Sequence, residues 1–290
     1  MSETDRVIRA VTFDGAFRVI TVRTTELVRE ALKVQKVTGL DARLFGELLT
    51  GAILVRETMS PGQRVQMVLK RDGVGQVVVD SHPLKAEPDV RGAMTRGLLN
   101  RQGPDEPLLA EDSILKVIRS MPRGQLHQSI VEANVEGTSR ALMHYMQTSE
   151  QVVAMLGVET VLDGDHVVAA GGYIVQLLPE CTEAPLAIMT ERLAHDFAML
   201  DQFLIEHDSA PAKLKDELLF GFDHEVIAES RVHYGCDCSE ERVLGAVATL
   251  GRDEIADIVQ RGELIGLTCE YCQTQWALGT DRLKSLLVSN

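Results

Sequence analysis

Four of the five cysteines sit close together near the end of the chain. Cys236-Asp237-Cys238 is followed by thirty residues and then by Cys269-Glu270-Tyr271-Cys272. Two close pairs joined by a loop can supply four thiolates to a tetrahedral Zn²⁺ at ~2.3 Å each. Sulfur is a soft ligand, and a closed S₄ shell suits zinc or an iron–sulfur cluster, with no open position for catalysis. The thiolate is also the nucleophilic form of cysteine, so a site that keeps four thiolates stores reactivity as well as structure. The first pair has one intervening residue where most zinc ribbons have two or more. A disulfide across Cys236 and Cys238 would close a tight ring and be comparatively oxidising. Two readings stay open on these residues alone: a knuckle that only folds the tail, and a reactive thiolate store.

Other candidates for chemistry are weaker. Cys181 stands apart and reads as a free thiol at the end of the first body, with a resolving role as the alternative. His233, three residues before Cys236, is a substitute ligand only if a cysteine is not used. No carboxylate spacing stands out as acid–base machinery, there is no phosphate-binding loop, and no catalytic residue is expected. Gly171-Gly172, inside a strand pattern, marks a bulge or close packing rather than a phosphate cradle.

The rest of the chain narrows the function class. It has 290 residues, 45% hydrophobic and 25% charged, with a formal net charge of −14. That is globular composition, with length for about two domains. Such an acidic surface repels phosphate and disfavours nucleic acid and anionic membranes as partners. Aromatics are 4%, with one Trp, Trp276, which disfavours base-stacking platforms. Residues 231–290 hold 6 Lys/Arg against 9 Asp/Glu, so a nucleic-acid-binding zinc ribbon is also disfavoured. The start, Met1-Ser2-Glu3-Thr4-Asp5-Arg6, has no signal-peptide apolar stretch. The most apolar segment, Val167 to Leu178, is twelve residues against the roughly 20 that span a bilayer. A cytoplasmic protein is expected, in which clustered cysteines serve metal or redox chemistry.

The elements that must position the cysteines follow from periodicity and turn residues. Strand–turn–strand units are expected around Asp14-Gly15, Asp72-Gly73, Pro122-Arg123-Gly124 and Asp163-Gly164-Asp165. Helices are expected from Thr24 or Thr25 to Lys36, from Asp41 through Ile53, and from Thr138 to Ser149. Without regular β-α-β alternation, this predicts an α+β fold: an N-terminal mixed core over 1–182. From Pro185 to His207, Leu186, Met189, Leu193, Phe197, Leu200 and Leu204 step by three or four and draw one apolar stripe on a helix. A second short helix is expected over 212–220, and 223–234 shows little order. A helical linker over 183–230 and a small zinc-binding domain over 231–290 complete the expectation. In the tail, Ser239 is expected to cap a helix to Leu250, a second helix to run from Asp253 to Arg261, Glu263 to Thr268 to be a strand, and Gly279 to Val288 a final helix. So short a tail has only a few kcal/mol of its own, whereas zinc binding contributes roughly 10–16 kcal/mol in small zinc peptides. Loss of zinc should unfold it.

These residues resemble the heat shock protein 33 family of redox-regulated chaperones. The resemblance rests on GCDCSEERV, LGRDEI and GELIGLTCEYC in the tail. It extends upstream through Arg71-Asp72-Gly73, Val90-Arg91-Gly92, Ser149-Glu150-Gln151 after Tyr145, and Ala169-Ala170-Gly171-Gly172 leading to Gln176 and Pro179. Cys181 lies outside the family's cysteine pattern, and Ala93 stands where an aromatic is expected. The resemblance implies an ATP-independent holdase, not an enzyme, inactive when reduced with one zinc on Cys236, Cys238, Cys269 and Cys272. Oxidation is implied to pair Cys236 with Cys238 and Cys269 with Cys272, to release zinc, and to loosen the linker. A homodimer that binds unfolded clients would result, with clients passed to ATP-dependent refolding chaperones. The apolar stripe from Leu186 to Leu204 is then the candidate client-binding surface. The competing reading is a thiol oxidoreductase in which Cys269-Glu270-Tyr271-Cys272 opens a helix after a strand.

Overall fold

The computed structural model describes residues 4–60, 62–83, 92–103, 106–120, 124–134 and 136–288. The chain divides into two compact units, Met1–Tyr234 and Gly235–Asn290. The first unit runs β1 (Arg6–Thr12), β2 (Phe17–Arg23), α1 (Thr25–Gln35), α2 (Gly39–Glu57), β3 (Val65–Arg71), β4 (Gly75–Pro83), β5 (Gly92–Arg101), β6 (Ser113–Ser120) and β7 (Leu126–Ala133). It continues with α3 (Thr138–Thr148), β8 (Ala154–Asp163), β9 (His166–Leu177), α4 (Glu183–His195), α5 (Leu200–Glu206), α6 (Pro211–Leu218) and β10 (His224–Tyr234). The second holds α7 (Glu240–Val247), α8 (Arg252–Arg261), β11 (Ile265–Thr268), β12 (Gln275–Leu278) and α9 (Thr280–Val288). The fold class is α+β. Among the described residues, no helix is long and apolar enough to cross a membrane.

Among the described residues, ten strands of the first unit form one sheet in the order β7-β6-β3-β4-β5-β10-β1-β2-β9-β8. The β5–β10 pair is parallel and the others are antiparallel. Alternation along the strands sends side chains to two faces. On one face Phe45, Leu49, Ile53 and Leu142 of α2 and α3 close over Ile20, Met67, Val79 and Ile174. Burial of each such side chain contributes roughly 1.5–3 kcal/mol. On the other face Phe17, Val19, Tyr173 and Val175 are covered by Met189, Phe197, Leu200, Leu204, Leu214 and Leu218. Gly171 and Gly172 permit this packing: a Cβ would lie 2.6 Å from the Val22 carbonyl at the first and 2.3 Å from the Gly157 carbonyl at the second. They mark close strand approach, as expected.

Several expectations need correction. The stripe from Leu186 to Leu204 does not run along one helix. The helix stops at His195, residues 196–199 form a turn, and α5 begins at Leu200. The break lets Phe197 drop between Tyr173 and Phe203, with ring centroids 5.7 and 5.4 Å away. Arg192 fixes the end of α4 by donating to the carbonyls of Leu218 at 2.6 Å and Phe220 at 2.7 Å. Residues 223–234, whose sequence pattern shows little order, are largely strand β10, which sits in the middle of the sheet. Its partners β1 and β5 lie far upstream in the chain, so no local pattern announces it. Strands β5 and β12 were not expected either. Helix α2 starts at Gly39, with Thr38 rather than Asp41 at its N-cap. Thr24 holds the N-cap position of α1, but its hydroxyl bonds Thr50 Oγ1 at 2.7 Å; Asp5 instead accepts from the Leu27 N–H at 2.6 Å. Pro122, Arg123, Val90 and Arg91 of the expected turn and motif lie outside the described residues, whereas Ala93 is fully buried on β5 opposite Val232.

A charge cluster ties the sheet edge to the helices. Arg43 of α2 bonds both Glu47 at 2.9 Å and Glu159 of β8 at 2.7 Å. One guanidinium serves two carboxylates. Burial, then Glu47, then Asp201 push the Glu159 carboxyl up to about 7, against the lowering effects of Arg43 and the Thr160 N–H; Glu47 is also raised, mainly by burial. The folded chain therefore holds a proton that the unfolded chain releases near 4.5. This contribution to stability is present at low pH and is lost as the pH rises from about 4.5 to about 7. Glu159→Gln should remove that dependence, so its thermal midpoint relative to the parent should climb between pH 5 and pH 7.5. A difference that stays constant across this range would contradict the assignment.

Candidate metal centre

The first cysteine pair is positioned by a helix start. Ser239 Oγ accepts from the Arg242 N–H at 3.3 Å, the expected N-cap of α7. The Arg242 guanidinium then pairs with Asp237 at 2.5 Å, which fixes the residue between Cys236 and Cys238. The second pair sits in the turn of the β11–β12 hairpin, whose register places Thr268 opposite Gln275 and Leu267 opposite Trp276. The Cys269 N–H donates to the Thr274 carbonyl at 2.9 Å, and the Gln273 N–H donates to the Cys269 carbonyl at 2.8 Å. Gln273 adopts φ of +59° to close the knuckle. Beneath these loops lies a small core of Val247, Ile255, Leu278 and Leu283.

All four Sγ atoms lie within 4.8 Å of one another, and all four cysteines are half-buried. Cys236 and Cys269 approach to 3.7 Å and Cys238 and Cys272 to 3.4 Å. A tetrahedron with ~2.3 Å metal–sulfur bonds has edges of about 3.8 Å, so the four residues fit a thiolate-bound cation such as zinc. The electrostatics ask for one. Burial and the neighbouring thiols push the Cys238 thiol up to about 12. Cys272 also suffers from burial, yet the Thr274 hydroxyl and amide, with Cys238 and Cys269, bring it down to about 7. Four thiolates at these separations repel one another unless a cation compensates them. Thr274, with Oγ1 3.2 Å from Cys272 Sγ, was not singled out from sequence; a hydroxyl residue two positions after the last cysteine is the signal that could have found it.

The other cysteine and the histidine are placed elsewhere. Cys181 is in the first unit, partly packed on the second-face core. Its thiol is raised by burial and by Asp14, which lowers its thiolate fraction. His233 lies on β10 in the first unit, exposed. Cys269-Glu270-Tyr271-Cys272 turns a hairpin rather than opening a helix, which removes the geometric basis of the oxidoreductase reading. Of the stripe, Met189, Phe197, Leu200 and Leu204 are buried, and Leu186 and Leu193 half-buried.

A ten-stranded α+β body followed by a small unit with a four-cysteine centre is the class that this fold and site define. The family model described as Hsp33 protein matches residues 5–278, and the chain belongs to the Hsp33 family. It is 27% identical to the 33 kDa chaperonin of Syntrophotalea carbinolica, over 98% of this chain and 99% of that protein. It is 26% identical to the 33 kDa chaperonin of Thermodesulfovibrio yellowstonii, over the same shares. The crystal structure of the 33 kDa chaperonin (heat shock protein 33 homolog) of Thermotoga maritima superposes with a TM-score of 0.78. It covers 98% of each chain at 21% identity, a likeness of fold.

Groups that support metal ligands typically change affinity about 10–100-fold when removed. Thr274→Val should therefore weaken zinc binding by about that factor, and Cys238→Ser by more, in chelator competition on the reduced protein. Equal affinity of Thr274→Val and parent would show that the hydroxyl does not support Cys272.

Proposed function

We propose that this Hsp33-family chaperone is an ATP-independent holdase switched on by oxidation. In the reduced form Cys236, Cys238, Cys269 and Cys272 hold one zinc ion as thiolates, and the ion supplies the charge compensation and cross-linking that the small core of the tail lacks. A peroxide is the oxidant. Each cysteine pair gives up two electrons to one peroxide O–O bond; an S–S bond forms, and the peroxide leaves as two waters after taking up two protons per thiolate pair. We assign the pairs as Cys236 with Cys238 and Cys269 with Cys272, from the family resemblance. Once paired, the four sulfurs no longer offer thiolates to the cation, and residues 235–290 lose their staple.

Functionally the chain then divides into a core over 1–182, a linker over 183–230 and a switch over 231–290. Loosening of the switch lets the linker helices detach. The side chains they bury, Met189, Phe197, Leu200 and Leu204, would become a contiguous apolar surface with Leu186 and Leu193, suited to unfolding polypeptides. The oxidised protein works as a homodimer in the cytoplasm, catalyses no reaction, and passes clients to ATP-dependent refolding chaperones. The net charge of −14 would keep such a surface soluble.

The observation that carries this reading is the gathering of four sulfurs within 4.8 Å in a chain of this family. Peroxide with mild heat should release one zinc per chain, consume four thiols and yield protein that suppresses aggregation of an unfolding client. Oxidised, metal-free protein no better than the reduced form would refute the proposal.

A further inference from the structure

Arg23, at the end of β2, is 1% exposed. Its Nη1 pairs with Asp5 Oδ1 at 2.5 Å. The rest of its guanidinium reaches the turn between α5 and α6: Nε donates to the Asp208 carbonyl at 3.0 Å and Nη2 to Asp208 Oδ1 at 3.2 Å. Two neighbours on the same stretch of chain grip the same turn. Thr21 Oγ1 donates to the Pro211 carbonyl at 2.8 Å, and Thr25 Oγ1 lies 3.3 Å from the Ser209 hydroxyl, which is 1% exposed.

The gripped turn is held against its own preference. Asp208 and Ser209 are consecutive non-glycine residues with φ of +49° and +53°. L-residues visit this region as isolated positions, at a cost that persists only where surroundings impose it. The helices leaving the turn on either side bury Leu204 and Leu214 completely. The turn therefore concentrates two opposed effects at one place: part-buried hydrogen bonds from the Arg23 guanidinium with buried hydroxyl hydrogen bonds, which favour docking, and backbone strain that favours release.

We infer that Arg23 and the Asp208–Pro211 turn form a latch that sets how readily α5 and α6 leave the sheet. The inference rests on the reading that detachment of these helices activates the protein. A latch of opposed terms can be tuned in both directions by single substitutions. Arg23→Lys keeps a charge for Asp5 but loses the planar fork that spans Asp208. Asp208→Asn removes one ion pair, and the Asp208 side chain is 59% exposed, so the fold tolerates the change. Ser209→Gly relieves the left-handed strain and gives up one 3.3 Å hydroxyl contact to Thr25, whose Oγ1 keeps its bonds to Ala170.

The test is limited thermolysin cleavage of the reduced, zinc-loaded, full-length protein, following cuts within residues 183–218. Arg23→Lys should speed these cuts about tenfold, as expected for lost hydrogen bonds to a charged group. Asp208→Asn should speed them about two- to fivefold, and Ser209→Gly should slow them. After peroxide treatment, client protection should start sooner in the first two variants and later in the third. Parental cleavage rates in both Asp208→Asn and Ser209→Gly would overturn the latch, whether or not Arg23→Lys folds. If cleavage shifts as expected while oxidised parent protects no client, the latch stands and the holdase reading fails.

Discussion

Four sulfur atoms within 4.8 Å of one another impose a charge constraint on the tail. As thiols they hydrogen-bond weakly; as thiolates they repel. A cation resolves the conflict, and a disulfide resolves it differently by removing the charges in pairs. The core beneath them, four buried apolar side chains, is too small to hold residues 235–290 by burial alone. In the proposed function, the fold of the second unit depends on the chemical state of its sulfurs. That dependence makes it suited to report oxidation rather than to catalyse it.

The first unit has the opposite character. Its first face is closed by α1, α2 and α3 through a large continuous core, which does not depend on the sulfurs. The second face is closed partly by α4, α5 and α6, short helices separated by turns, one of them strained. In the proposed function, this layer of short helices comes away while the first-face core persists. In the proposed switch, the cysteines supply the signal and the second face supplies the response.

Much of this was legible in the chain itself, for local reasons. The cysteine spacing pointed to the four sulfurs that the fold gathers within 4.8 Å, because two close pairs are visible in the chain without reference to the fold. The hairpins at Asp14-Gly15, Asp72-Gly73 and Asp163-Gly164-Asp165 and the Ser239 cap were readable because turns and caps are local chemistry. What was missed is non-local. Strand β10 exposes Glu225, Val226, Ile227, Glu229, Arg231 and His233 and is a strand only because β1 and β5 flank it. Strand β5 carries Gly97, which a propensity reading treats as a breaker; the Phe45 ring would lie 2.5 Å from a Cβ there, so the glycine answers a packing demand from a distant helix. The break at 196–199 and the Arg23–Asp208 contact likewise follow from docking on the sheet.

The central claim is that the sulfur centre controls the order of the second-face helices. Hydrogen exchange across the whole chain tests it most directly, comparing reduced zinc-loaded protein with peroxide-treated, metal-free protein. The account predicts that amides in 235–290 and 183–218 lose protection together, while those of the sheet and of α1 to α3 keep theirs. Loss of protection confined to 235–290, with 183–218 unchanged, would contradict it.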